Sequence, residues 1–172
     1  MTAIPTLETG RLRLRAYRAD DFDSHAALWA DPAVTRFIGA QPITREQAWT
    51  RFLRYAGSWQ MLGFGFWAVE EKTTGHFLGE VGFHDMKREL TPSLDGTLET
   101  GWAFMPEAQG KGIATETVGA ILAWGGAAYP GRRVTCIINP DNAASRRVAE
   151  KSGFREFGRT TYHGAPVLLF ER

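Results

Sequence analysis

The chain has 172 residues, the length of one ordinary domain and enough to bury roughly 70% of the surface its unfolded form would expose, so a two-domain enzyme is not expected. With 44% hydrophobic and 23% charged residues it has the composition of a packed globular protein and not of a disordered one. Twenty Lys+Arg against 19 Asp+Glu leave a formal net charge of +1, which is no footprint for non-specific nucleic-acid binding.

The single cysteine, Cys136, excludes an intrachain disulfide framework and suits a reducing compartment, so a cytoplasmic protein is expected. Residues 1–15 lack the apolar run of a secretory signal, and no stretch approaches the ~20 apolar residues of a membrane span.

In chain order, Arg11, Leu12, Arg13, Leu14 and Arg15 alternate and predict a half-buried strand. Asp20 or Asp21 can cap a helix carrying Phe22, Ala26 and Trp29, which Asp31-Pro32 stops. Thr44 and Gln47 have capping-box spacing and open a second helix with Ala48, Phe52, Tyr55 and Trp59 as its buried stripe. From Phe64 the period changes to two; a turn at Thr73, Thr74 and Gly75 leads to a second run over 77–83, which predicts a hairpin. Most aromatics here read as core, with Trp67 a candidate for lining a substrate cleft. Residues 86–96 hold Pro92, Asp95 and Gly96 among charges and read as a loop.

In the third strand Leu98, Thr100, Trp102 and Phe104 share one face, and Glu99, Gly101 and Ala103 share the other, a small face carrying one acid. Pro106 ends it, and a helix follows with Ile113, Thr117, Ile121 and Leu122 as its stripe. A strand over 134–138, a turn at Asn139-Pro140-Asp141-Asn142 and a helix lined by Ala144, Val148 and Ala149 come next, with Gly153 as its left-handed cap. The last two strands, 154–159 and 167–170, are joined through His163-Gly164. This order predicts a single α/β domain over residues 1–172, with a mixed sheet between helices.

The segment richest in chemistry is 99–115, where a strand ends in Gln109-Gly110-Lys111-Gly112-Ile113-Ala114 and the turn opens a helix. Glycines there let backbone N–H groups converge on an anion, and the helix N-terminus adds its dipole. The GxxxxGK[ST] pattern is absent, and GxGxxG fails because Thr115 stands where its third glycine belongs. A tight turn using glycine for geometry alone is the bland alternative.

Gln109-x-x-Gly112-x-Ala114 resembles the pyrophosphate loop of the GNAT superfamily of acyl-CoA-dependent N-acetyltransferases. The resemblance spans nearly the whole chain: residues 7–15 are similar to the family's opening strand, and residues 139–145 with 150–154 to its closing motif. Asn142-x-x-Ser145, with Ala149 where many relatives have tyrosine, resembles the RimJ/RimL-type branch of ribosomal-protein N-acetyltransferases. The implied fold is a mixed, partly splayed sheet of about six to seven strands flanked by about four helices.

That resemblance implies acetyl-CoA as co-substrate, with its pyrophosphate on backbone N–H groups of Gly110, Lys111, Gly112, Ile113, Ala114 and Thr115 behind Gln109. It places the pantetheine arm along Ala103, Phe104 and Met105, with Asn142 as a further contact and free N–H groups near Phe104 and Met105 for the developing oxyanion. Glu99 stands where several relatives keep a general base, with Glu80 as runner-up; a rim or core glutamate paired with arginine is the plainer reading. Ser145 is the substitute donor to the leaving thiolate, although it could simply lie in the helix's first turn. Arg146, Arg147 and Lys151 read as a solvated face, with a CoA phosphate as the alternative partner.

The histidines at 25, 76, 84 and 163 show no ligand spacing, so no metal is expected, and Cys136 reads as core and not as an acyl carrier. The expected reaction is direct attack by a primary amine in a ternary complex. The branch resemblance favours a protein or peptide N-terminal α-amine; a small amine such as an amino acid, polyamine or aminoglycoside is the alternative, and a non-catalytic CoA sensor a second. Homodimers are common among such relatives.

Overall fold

A computed structural model describes residues 3–39 and 41–172; Met1, Thr2 and Ala40 lie outside the described residues. Among the described residues eight strands form one sheet in the order β1-β2-β3-β4-β5-β6-β8-β7. They are β1 (Leu7–Glu8), β2 (Leu12–Arg15), β3 (Phe66–Glu71), β4 (Phe77–His84), β5 (Leu98–Phe104), β6 (Val134–Ile138), β7 (Arg155–Tyr162) and β8 (Ala165–Glu171). The helices are α1 (Phe22–Ala30), α2 (Pro32–Thr35), α3 (Arg45–Leu62), α4 (Ile113–Ala128) and α5 (Ala143–Lys151). The sheet therefore has more strands, and one more helix, than expected, because the two-residue β1 and the four-residue α2 are too short to leave a period.

Local chemistry explains most boundaries. Thr44 and Gln47 form the capping box of α3, and Gly63 ends it in the left-handed conformation at φ 76°. Gly57 lies inside the helix and does not break it. Asp21 does not cap α1, because its carboxylate is held by Arg15 at 2.7 and 2.8 Å. Asp31 ends α1 and at once caps α2, accepting from the Ala33 N–H at 2.7 Å, and Pro32 takes the first turn, where its missing N–H costs nothing. The final hairpin turns on His163 and Gly164, both at positive φ, as a two-residue loop of matching twist requires.

The two faces of the sheet differ. Leu12, Leu14, Trp67, Val81, Phe83, Leu98 and Phe104 form the apolar face, covered by Val118, Ile121 and Leu122 of α4. Trp67 belongs here, fully buried, and does not line a cleft. The opposite face, under α1 and α3, carries Glu70, Glu80 and Glu99 among small residues. Arg15 joins Asp21 to Glu70, at 2.6 Å from the latter, so this buried charge is paired.

β5 and β6 run parallel, but their register holds only at Leu98↔Val134 and Glu99↔Thr135. Beyond that the strands part and open the sheet. β4 approaches β5 closely through Gly79, at φ 148°, where a Cβ would run into the Ala103 carbonyl and stand 2.7 Å from Phe104 Cα. Gly79→Ala is therefore expected to cost about 1–3 kcal/mol in a denaturant titration. Gly119→Ala, in α4 with open space around the added methyl, should stabilise by about 0.5–1 kcal/mol.

Candidate active site

The opening between β5 and β6 exposes main-chain groups of one parity. Met105 N–H donates across to the Leu78 carbonyl on the β4 side at 2.9 Å, whereas Leu98 N–H donates to the Arg133 carbonyl on the β6 side at 2.9 Å. Strand alternation then turns Thr100, Trp102 and Phe104 toward the gap, and Ala103 and Met105 toward β4. The expected main-chain partners Ala103 and Met105 are thus corrected to Trp102 and Phe104, and Met105 N–H is not free for an oxyanion. Only the register of β4 could have revealed this parity.

Gln109 folds back to donate from Nε2 to the Phe104 carbonyl at 3.1 Å, fastening the turn to the strand end. Gly110 and Gly112 have φ of 73° and 74°, the conformation that brings successive N–H groups to one side. Gly112 caps α4 with no side chain, so the first N–H groups of the helix have no partner within it. Lys111 is turned differently: its carbonyl accepts from Arg11 Nη2 at 2.5 Å, and Arg11 Nε pairs with Glu116 at 2.8 Å, which removes that acid's charge from the loop. Burial would raise the Glu116 carboxyl, but bonds from Thr9 and Arg11 lower it.

A cavity of about 360 Å³ lies against this turn, lined by Gly110, Gly112, Ile113, Ala114 and Thr115 on one side and Arg147 and Lys151 on the other. Arg147 and Lys151 therefore face the cavity, while Arg146 turns back to the Pro140 carbonyl at 3.4 Å. Free N–H groups, a helix N-terminus and two cations fit a pyrophosphate with further phosphate. Asn142 caps α5, accepting from the Ser145 N–H at 3.0 Å, and the Ser145 hydroxyl makes no hydrogen bond among the described residues.

A second cavity of about 330 Å³ opens on the acidic face of the sheet. Trp102, Asn142 and Ser145 border both cavities, so the two meet at the gap in the sheet. Glu99 lies in its wall, 3% exposed, with Arg88 Nε at 2.9 Å from both carboxylate oxygens and His84 Nε2 at 3.0 Å from Oε1. Burial alone would raise this carboxyl; His84 and Arg88 outweigh it and hold it at about 2. Such a group keeps its charge and takes up a proton poorly, which argues against the expected role of Glu99 as base. Glu80 is closed to proton uptake as well: Tyr17 at 2.6 Å, His25 at 3.0 Å, Trp29 at 3.3 Å and Tyr55 surround its two oxygens. Burial pushes the Glu80 carboxyl up, but contacts led by His25 outweigh it and hold it below its ordinary value.

His84 was not singled out by spacing. It shares the face of Glu99 because the two residues are directly paired across β4 and β5, and it lines the cavity. Burial pushes the Cys136 thiol up, which leaves it unsuited to nucleophilic attack.

The acetyltransferase (GNAT) domain profile matches residues 11–155. The chain belongs to the GNAT acetyltransferase family. It is similar to YoaA of Bacillus subtilis, described as an uncharacterized N-acetyltransferase, at 29% identity over 90% of this chain and 85% of that one. A Bordetella pertussis structure assigned to the GNAT family superposes with a TM-score of 0.87 at 32% identity, covering 98% of this chain and 99% of its own. The structure of RimL, a ribosomal L7/L12 α-N-protein acetyltransferase in complex with coenzyme A, shares the fold with a TM-score of 0.79 at 17% identity over 98% and 97% of the two chains. The protein is accordingly an acetyl-CoA-dependent N-acetyltransferase.

Gly112→Asp places a side chain and a negative charge at a left-handed position in the phosphate turn, and acetyl-CoA affinity measured by calorimetry should fall at least tenfold. Glu99 has a folded-state carboxyl below its ordinary 4.5, so its contribution is present above that value and lost as pH falls toward about 2. Glu99→Gln should therefore lower stability at pH 7 by about 2–3 kcal/mol and flatten the acid limb of the stability curve between pH ~5 and ~2.

Proposed function

We propose that this GNAT enzyme transfers the acetyl group to a peptide or protein N-terminal α-amine by direct attack in a ternary complex. The observation that carries the reading is the meeting of two cavities at Trp102, Asn142 and Ser145, one built for phosphates and the other open to solvent at its far end. That outer mouth is formed by the exposed Arg36, Gly39, His163 and Ala165. A chain end can enter there while the rest of its molecule stays outside.

Acetyl-CoA supplies the activated acyl group as a thioester. The turn 110–115 holds its phosphates, with Arg147 and Lys151 opposite. Trp102 and Phe104 present backbone groups to the arm and to the carbonyl oxygen that gains charge during attack. Ser145, with an uncommitted hydroxyl beside Asn142, donates to the departing sulfur.

Attack requires a neutral amine, and an α-amine has a free pKa near ~8. His84 is the group we assign to that proton. Glu99 Oε1 stands 3.0 Å from Nε2, an ion-pair distance without hydrogen-bond geometry, and its charge favours the imidazolium formed when Nδ1 accepts a proton from the amine or from an intervening water. Glu99 thus changes from acceptor to electrostatic partner of His84, and Arg88 pairs with it. A homodimer remains part of the proposal through the family resemblance, and a cytoplasmic setting through the single cysteine.

The test is thiol release from acetyl-CoA against peptides with free and blocked N-termini, polyamines, amino acids and aminoglycosides. Release with free and not with blocked peptides supports the reading; release with small amines alone replaces the acceptor class. In the same assay His84→Gln should lower kcat by about 100-fold at pH 7, with the deficit shrinking as pH passes the amine's own pKa and the acetyl-CoA KM unchanged. A uniform loss at every pH would remove His84 from the proton path.

A further inference from the structure

One wall of the acceptor cavity comes from α1, the segment 36–39 after α2, and α3, and it brings two guanidinium groups that have no carboxylate contact among the described residues. Arg51 of α3 is the better defined. Its Cζ sits 3.6 Å from the centroid of the Trp29 ring, and its Nε donates to Tyr55 Oη at 3.1 Å. Tyr55 Oη in turn donates to Glu80, so the guanidinium is fixed through a bonded chain to the floor of the sheet. Stacking and the single Nε bond set the plane of the fork. Both Nη groups are left without a hydrogen-bond partner among the described residues.

Arg36, just past α2, lies on the same cavity with its Cζ 5.0 Å from the Phe37 ring and no ion pair among the described residues. The third arginine there, Arg88, is paired with Glu99 through Nε and Nη2. Glu80 is the other acid of the wall, and its oxygens are surrounded by Tyr17, His25, Trp29 and Tyr55, so they do not reach the Arg51 fork. The cavity therefore carries Arg36, Arg51 and Arg88 against Glu80 and Glu99, and both acids already have partners of their own. A held guanidinium with two free, coplanar amino groups matches the two oxygens of a carboxylate.

We propose that the acceptor bears a carboxylate on the same molecule as its reacting amine, bound by the two Nη groups of Arg51, with Arg36 adding attraction at the mouth. The inference rests on acetyl transfer to an amine in this cavity and narrows which amine is taken. The carboxylate has two possible sources, an acidic side chain at the start of a peptide or the α-carboxylate of a free amino acid.

Thiol release is measured for two matched pairs: a peptide beginning with Glu against the same peptide beginning with Gln, and a free amino acid against its carboxamide. In the wild-type protein kcat/KM for the acid member of at least one pair should exceed that of its amide by about 10- to 100-fold, and the pair showing the preference identifies the source. Arg51→Gln should bring that ratio close to one. Arg51→Lys, which keeps the charge without the fork, should give an intermediate ratio, and Arg36→Gln a smaller reduction. Melting curves and acetyl-CoA affinity report whether each variant is folded.

A wild-type ratio near one in both pairs, with amides turned over well, overturns the carboxylate while leaving amine acetylation standing. A high ratio that persists in Arg51→Gln and Arg51→Lys overturns the assignment to Arg51. Absence of release from every amine removes the acceptor reading and this inference with it.

Discussion

Everything at this site depends on the parting of β5 from β6 after the Leu98↔Val134 and Glu99↔Thr135 pairs. β6 is committed on its other edge to β8, from Thr135↔Glu171 to Ile138↔Leu168, and β5 to β4 along its whole length. Neither strand can turn to close the gap without breaking its other ladder. The main-chain groups of Thr100, Trp102 and Phe104 are therefore left facing a cleft, and an unpaired backbone group withdrawn from water costs about 1–3 kcal/mol. A ligand arm that bonds those groups is favoured for the same reason that a sheet edge recruits a strand. Its binding also stabilises the native state by mass action.

The face of the sheet beneath α1 and α3 has a second logic. The Phe66 ring lies over Gly82 and Gly101, Ala68 and Ala103 pack with Leu28, Trp29 and Val34, and the acids of this face are set among these groups. Each acid there has its own partners: Glu70 has Arg15, Glu99 has Arg88 and His84, and Glu80 has Tyr17, His25, Trp29 and Tyr55. A buried carboxylate that lost one partner would be strongly destabilising, so this face is held rigid by mutual need. Rigidity is what a reacting geometry requires, since an ångström of play at an attacking nitrogen is costly in rate.

Local signals carried much of this in the sequence. The capping box of Thr44 and Gln47, the stripe through Ala48, Phe52, Tyr55 and Trp59, the β3–β4 hairpin and the cap by Asn142 all rest on residues a few positions apart. The phosphate turn was equally legible, because glycine at positive φ has a local cause. What escaped depends on contacts distant in sequence. Arg88 lies in a stretch with no period, and only the fold brings it onto Glu99, where it converts an apparent base into a fixed charge. His84 gains its place from the register of β4 on β5, and the choice of Trp102 over Met105 comes from the same register. Trp67 lies on the strand face that α4 covers, which alternation alone could not assign to core or cleft.

The site's parts belong to separable layers. The turn before α4 and the start of α5 hold the phosphates, β4 and β5 carry His84, Glu99 and the main-chain groups of the reaction, and α1 to α3 supply Trp29, Arg36 and Arg51. Within the last layer Ala33, Val34, Phe37 and Ile38 also border the phosphate cavity, whereas Trp29, Arg36 and Arg51 line the acceptor cavity and not that one. Arg51 is attached to the reaction layer through Tyr55 and Glu80, so its position is fixed relative to His84 although its side chain takes no part in the proton transfer. A substitution at position 36 or 51 can therefore alter which amine is taken while leaving the phosphate turn and the Glu99–His84 pair in place. A fold arranged this way can change acceptors by altering one wall of one cavity, which is how a common scaffold comes to serve many amines.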